Sequence, residues 1–77
     1  MSSVSIIYCA PCGYEKRARE AAEQLAKATG IVPTLVPGKG GVFRVDVGEE
    51  TVVSRARGYF PTPDDIIAAV QAAQAPA

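Results

Sequence analysis

The stretch from Val4 to Val36 constrains the fold more than any other. Val4-Ser5-Ile6-Ile7-Tyr8 is short, β-branched and aromatic, the composition of a strand. From Tyr14 the period changes. Tyr14, Ala18, Ala21, Ala22 and Leu25 recur at helical spacing, while Glu15, Lys16, Arg17, Arg19, Glu20, Glu23 and Lys27 fill the other faces. Glu15 with Arg19, and Glu23 with Lys27, stand four apart with the acid first, an orientation that contributes about 0.2–0.5 kcal/mol per pair. Thr29-Gly30 ends the helix, with Gly30 as a left-handed cap. Ile31 to Val36 is β-prone again, and Pro33, which cannot donate to a ladder, predicts an edge strand. Strand, helix and strand in this order predict a parallel pair joined by a right-handed crossover.

The remainder adds a hairpin and a second helix. Pro37-Gly38-Lys39-Gly40-Gly41 has the composition of a flexible loop. Val42 to Val47 alternates, with Phe43, Val45 and Val47 facing one way and Arg44 and Asp46 the other. Gly48-Glu49-Glu50 turns into Thr51-Val52-Val53-Ser54-Arg55-Ala56-Arg57, which completes an antiparallel hairpin. Gly58-Tyr59-Phe60-Pro61 leads out to Thr62. That residue is an N-cap, with Pro63 at the first helical position and Asp65 three residues after the cap, a capping-box variant. Ile66, Ile67, Val70 and Ala73 supply the apolar stripe of the last helix, before an Ala-rich tail.

The predicted architecture is α/β in the broad sense, a two-layer α+β domain in the order β-α-β-β-β-α. A four-stranded mixed sheet should carry both helices on one face, as a single domain over residues 1–77 with its core between about 4 and 73. Tyr14, Ala18, Leu25, Ile66, Ile67 and Val70 are expected beneath the sheet. The other face would hold Arg44 and Asp46, joined by Arg55 and Arg57. A polar, basic outer face of this kind predicts a monomer or a weak dimer.

Composition removes several functions. Seventy-seven residues bury a thin core, but a hydrophobic fraction of 48% argues against disorder. Eight basic residues balance eight acidic ones, so no global field draws the chain to nucleic acid or an anionic membrane. No run approaches the roughly 20 apolar residues of a membrane span. Met1-Ser2-Ser3-Val4-Ser5 places no basic region before a long apolar one, so no signal peptide is expected and the cytoplasm is the expected compartment. The chain has no His, which excludes Ser-His-Asp and Cys-His catalysis and every His-containing metal site.

Cys9 and Cys12, the only two cysteines, lie between the first strand and its helix in Cys9-Ala10-Pro11-Cys12-Gly13. In a reducing compartment a close pair points to catalysis, redox sensing or metal binding. The helix N-terminus, with Lys16, Arg17 and Arg19 nearby, favours a thiolate and lowers a thiol pKa. Two thiols at this spacing can close a small disulfide that reopens by exchange. Pro11 is expected to start the helix without wasting a donor. A zinc site lacks ligands within one chain and would have to be shared across a dimer. An inert pair is the third alternative, since so small a loop adds little stability.

Other features have plain structural readings. The charges of the first helix form a solvated face, Tyr14 is a packing residue, and Arg44, Arg55 and Arg57 are exposed strand positions. Gly38 to Gly41 is a loop and not a phosphate cradle, since no helix follows it.

Cys9-Ala10-Pro11-Cys12-Gly13-Tyr14, followed by Gly41-Val42-Phe43-Arg44-Val45 and Arg55-Ala56-Arg57-Gly58-Tyr59-Phe60-Pro61, resembles the selenoprotein W-related (Rdx) family, which includes selenoprotein T- and H-type proteins. The likeness runs from about Val4 to Ala73. It implies a thioredoxin-like fold and a small redox protein, with thiol-bearing proteins and glutathione, the latter as a possible reductant, for partners. No bound cofactor is implied. Selenoprotein members carry selenocysteine at the second motif position, where this chain has Cys12, so the resemblance is to a cysteine-containing homologue. Thioredoxin-like geometry favours Cys9 as the exposed attacker, whereas the family pattern favours Cys12, and both stand. Thioredoxins also set a cis-proline beside the cysteines. Pro37 lies near that point in the chain, but the Lys39 and glycines after it argue against that role.

Two functions follow. In one, Cys9 and Cys12 carry out thiol–disulfide exchange or redox sensing, supported by Pro11, Gly13, Lys16 and Arg17. In the other, the chain is a non-enzymatic interaction module whose docking through the sheet face or the Gly38–Gly41 loop is gated by the cysteines.

Overall fold

The computed structural model describes residues 3–74; Met1, Ser2 and the end of the Ala-rich tail, 75–77, lie outside the described residues. The elements run β1 (Val4–Cys9), α1 (Glu15–Thr29), β2 (Thr34–Gly38), β3 (Phe43–Val47), β4 (Glu50–Ser54) and α2 (Pro63–Gln74). The strands form one mixed sheet in the order β2-β1-β3-β4. β1 pairs parallel with β2 and antiparallel with β3, and β4 continues the hairpin. The expected β-α-β-β-β-α order is therefore present, in a thioredoxin-like arrangement.

Both helices cover the same face. Ile6, Phe43, Val45, Leu25, Ile66 and Val70 are fully buried in one cluster, with Tyr14 and Ile67 packed against it. The alternation of β3 is realised as predicted, since Phe43, Val45 and Val47 are buried while Arg44 is exposed.

Local chemistry fixes the helix ends. Gly30 adopts φ 77° and its N–H donates to the Ala26 carbonyl at 2.8 Å, the left-handed stop that only glycine adopts without strain. At α2 the capping box closes in both directions: the Asp65 N–H donates to Thr62 Oγ1, and the Thr62 N–H to Asp65 Oδ2, each at 3.2 Å. On α1 the exposed Glu15–Arg19 pair forms at 2.8 Å. Glu23 and Lys27 form no ion pair among the described residues.

Three expectations are corrected. The second strand is shifted two to three residues downstream: Pro33 precedes it, buried, and Pro37-Gly38 belongs to it instead of to the loop. The register explains this, because β2 begins where Thr34 meets Ser5, and an edge strand tolerates Pro37. Pro11 does not start α1; a separate turn intervenes and the helix begins at Glu15. Arg55 and Arg57 lie beyond β4 and do not share the outer sheet face. That face is not basic, since Arg44 pairs with Asp46 at 3.4 Å, and Asp46 also accepts from the Thr51 hydroxyl at 2.7 Å.

Candidate functional site

The cysteines sit where β1 leaves the sheet. Cys9 is the last residue of β1, opposite Gly38 of β2 in the register. Its N–H donates to the Val42 carbonyl at 2.7 Å, and the Ala10 N–H donates to the Gly38 carbonyl at 3.1 Å. The chain then reverses over Ala10-Pro11-Cys12-Gly13, where the Gly13 N–H donates back to the Ala10 carbonyl at 3.1 Å. Pro11 thus holds the second position of a turn, where its fixed φ is favourable. Gly13 follows at φ 81°, a left-handed angle that separates the turn from the helix.

This turn brings the thiols together. Cys9 and Cys12 are joined by a disulfide, with their Cα atoms 5.3 Å apart, inside the range that bridged cysteines occupy. Their environments differ sharply. Cys9 is 1% exposed, whereas Cys12 lies on the surface. The exposure that thioredoxin-like geometry assigned to Cys9 is therefore found at Cys12.

The helix that follows has an open N-terminus. Tyr14 occupies the cap position without a side-chain cap, and its own N–H donates to the Cys9 carbonyl at 3.3 Å. The amides of Glu15, Lys16 and Arg17 have no backbone partner among the described residues, because the first bond of the helix is from Ala18 N–H to Tyr14. These donors begin three residues beyond Cys12, together with the Lys16 and Arg17 side chains, both exposed.

Aromatic packing ties the site to the core. The Tyr14 ring meets Phe43 and Phe60 edge-on, at centroid distances of 6.3 and 5.1 Å, and Phe43 and Phe60 stand 4.7 Å apart. Arg17 lies over the Phe60 ring at 4.4 Å. Arg55 lies over the Tyr14 ring at 5.9 Å and donates to the Gly41 carbonyl at 3.2 Å. Sequence reasoning reached Tyr14 as a packing residue but missed Gly38 and Val42 as backbone partners of the cysteine turn, and Phe60 and Arg55 as partners of the Tyr14 ring. Helical spacing reveals Tyr14; only the strand register brings in Gly38 and Val42. Pro37, one residue before Gly38, lies opposite Tyr8 in the register, and all described peptide bonds are trans.

Among the described residues, no group of three or more His, Cys, Asp or Glu side chains converges as a metal site would require, and no helix is long and apolar enough to cross a membrane. The arrangement offers a reversible two-electron store: one buried sulfur, one surface sulfur, and a helix N-terminus nearby.

Comparison with known proteins gives a consistent picture. The model of the Rdx family matches residues 3–72. A crystal structure of a Bordetella parapertussis protein superposes with a TM-score of 0.83 at 30% identity, covering 94% of this chain and 96% of that one. A selenoprotein W-related protein from Vibrio cholerae superposes with a TM-score of 0.82 at 22% identity, covering 94% and 95%. No curated protein matches the sequence.

Proposed function

The chain belongs to the Rdx family, and from that membership and its paired cysteines we propose that it is a small thiol–disulfide exchange protein acting on protein or glutathione disulfides. The carrying observation is the unequal burial of the two bridged cysteines, with Cys9 at 1% exposure and Cys12 on the surface. Exchange needs one sulfur that a bulky disulfide can reach and a second that waits within bonding distance.

In the reduced protein the Cys12 thiolate attacks one sulfur of the partner disulfide. A Cys12–partner disulfide forms, and the partner's other sulfur leaves as thiolate, to be protonated by solvent. The Cys9 thiolate then attacks the Cys12 sulfur and expels the first partner sulfur. The partner gains two electrons and two protons, and the protein ends as the Cys9–Cys12 disulfide. The open amides of the first turn of α1 and the charges of Lys16 and Arg17 favour the Cys12 thiolate. Pro11 and Gly13 shape the turn that holds the two sulfurs together.

Trapping with single variants tests this. Cys9→Ser should accumulate a mixed disulfide through Cys12, and Cys12→Ser should trap little. Equal trapping, or trapping only through Cys9, refutes the assignment. Cys12 alkylation in Cys9→Ser should show a titration below the ordinary thiol value of about 8.5. Partners still bound by a Cys9→Ser/Cys12→Ser protein would favour the docking module over exchange chemistry.

A further inference from the structure

The whole chain is neutral, eight basic residues against eight acidic, but folding sorts those charges. Lys16 and Arg17 open α1 directly after the cysteine turn. Lys39 follows Gly38, which lies opposite Cys9. Arg55 leaves the same end of the sheet, its N–H bonded to the Phe43 carbonyl at 2.8 Å. Arg57 is at the tip of the tight turn in which Ala56 and Tyr59 exchange backbone hydrogen bonds of 3.0 and 2.9 Å. None of these five cations is in an ion pair among the described residues, where only Arg19 and Arg44 are engaged.

Two of the acids at this end are committed. Glu15 is bound to Arg19, and Asp65 accepts from the Thr62 N–H and the Tyr59 hydroxyl, which leaves Asp64 and, one turn into α1, Glu20. At the opposite end of β1, where Val4 meets Val47, Glu49 lies in the β3–β4 turn and Glu50 opens β4, against Lys27 in the last turn of α1. A neutral chain thus presents a cationic rim around its cysteines and an acidic far end.

We propose that this rim docks an acidic polypeptide segment flanking the target's own disulfide, a reading that rests on the exchange reaction above. Two of the cations are already ordered for it. The Arg17 guanidinium is shelved on Phe60 and that of Arg55 on Tyr14, and these rings are themselves in contact. The Tyr14 N–H donates to the Cys9 carbonyl, so the rings on which both guanidinium groups rest are tied to the cysteine turn. A shelved guanidinium keeps free N–H groups for a carboxylate and loses less entropy on binding it. The rim is built from the start of α1, the Lys39 loop and the Arg55–Arg57 segment. A lone carboxylate would reach one of these; a chain bearing several acids spans them.

The test uses three synthetic peptides, each with one cysteine as a mixed disulfide with 2-thiopyridine, flanked by Glu, Gln or Lys. Attack by reduced protein at the peptide sulfur expels pyridine-2-thione, which is followed by absorbance. At low ionic strength the Glu peptide should react about tenfold faster than the Lys peptide, with Gln between. Near 1 M salt, where the screening length is about 3 Å, the ratio should approach one. Arg17→Gln/Arg55→Gln should lower the low-salt ratio to about threefold, while Arg44→Gln on the outer sheet face should leave it unchanged. A ratio of one at low salt, a Lys preference, or an undiminished ratio in the double variant overturns the proposal. Should no peptide release the thione, the exchange reading fails by itself. Docking is then decided with a cysteine-free Glu-rich peptide and the oxidised protein. NMR shifts around Arg17 and Arg55 that vanish in 1 M salt support it, and no shifts overturn it.

Discussion

Gly38→Ala probes the close approach of β2 to the cysteine end of the molecule. Gly38 does not have a positive φ, so its backbone accepts an L residue and the cost is steric. A Cβ built there would lie 2.9 Å from Val42 Cγ1, 3.4 Å from Ile7 Cγ2 and 3.5 Å from the Tyr8 carbonyl oxygen. Carbon atoms pack best at about 3.5–4.0 Å, so the Val42 methyl must retreat by roughly half an ångström or more. Val42 is β-branched, and its carbonyl accepts the Cys9 N–H, which limits the retreat. Overpacking of this kind costs about 1–3 kcal/mol. Loss of glycine freedom in the unfolded chain offsets about 0.4–1 kcal/mol.

The expected net effect is a destabilisation of about 1–2 kcal/mol, out of a total of roughly 4–12 kcal/mol for a domain of this length. In a Val42→Ala background the clashing methyl is absent. There the same substitution should be neutral, or stabilise by about 0.5 kcal/mol. Urea unfolding of the four oxidised proteins gives the coupling free energy, expected at about 1–2 kcal/mol. Additivity within about 0.5 kcal/mol would refute the reasoning.

Thr62→Ala removes one half of the reciprocal cap and should cost about 1 kcal/mol by urea unfolding, with helix loss confined to the start of α2. The Thr62 N–H, then the Tyr59 hydroxyl, hold the Asp65 carboxyl below its ordinary range. A depressed folded pKa stabilises above the unfolded value of 3.8 and loses that contribution as pH falls through the folded one, so acid should fray α2 first, as carboxylate-resolved NMR would show. Partial desolvation and then the bond to Asp65 raise the Tyr59 phenol, so its contribution is complete below 10.0 and fades as pH rises through the folded value; Tyr59→Phe should abolish that alkaline limb in unfolding experiments. Sedimentation at micromolar concentration should give a monomer, since the outer face carries the Arg44–Asp46 pair; a tight dimer broken by Arg44→Glu would show that this face associates.

The sequence alone determined what local physics decides. Helical spacing and a left-handed glycine set α1 and its end at Gly30, the two-residue alternation set which side of β3 is buried, and Thr62 with Asp65 announced the cap of α2. The pairing of Cys9 with Cys12 was legible because only three peptide units separate them in a single turn. Long-range pairing decided the rest. Pro37 and Gly38 have the composition of a loop, and only the register against Tyr8 and Cys9 makes them a strand. Arg55 and Arg57 continue a β-prone run, but β4 ends at Ser54, the Arg55 side chain reaches the Gly41 carbonyl, and Arg57 falls in the tight turn between Ala56 and Tyr59. Which cysteine is buried, and how a neutral composition becomes a cationic rim, also depend on contacts between residues distant in sequence. Such contacts leave no periodic trace along the chain, because their partners are fixed by how the sheet and helices close on one core.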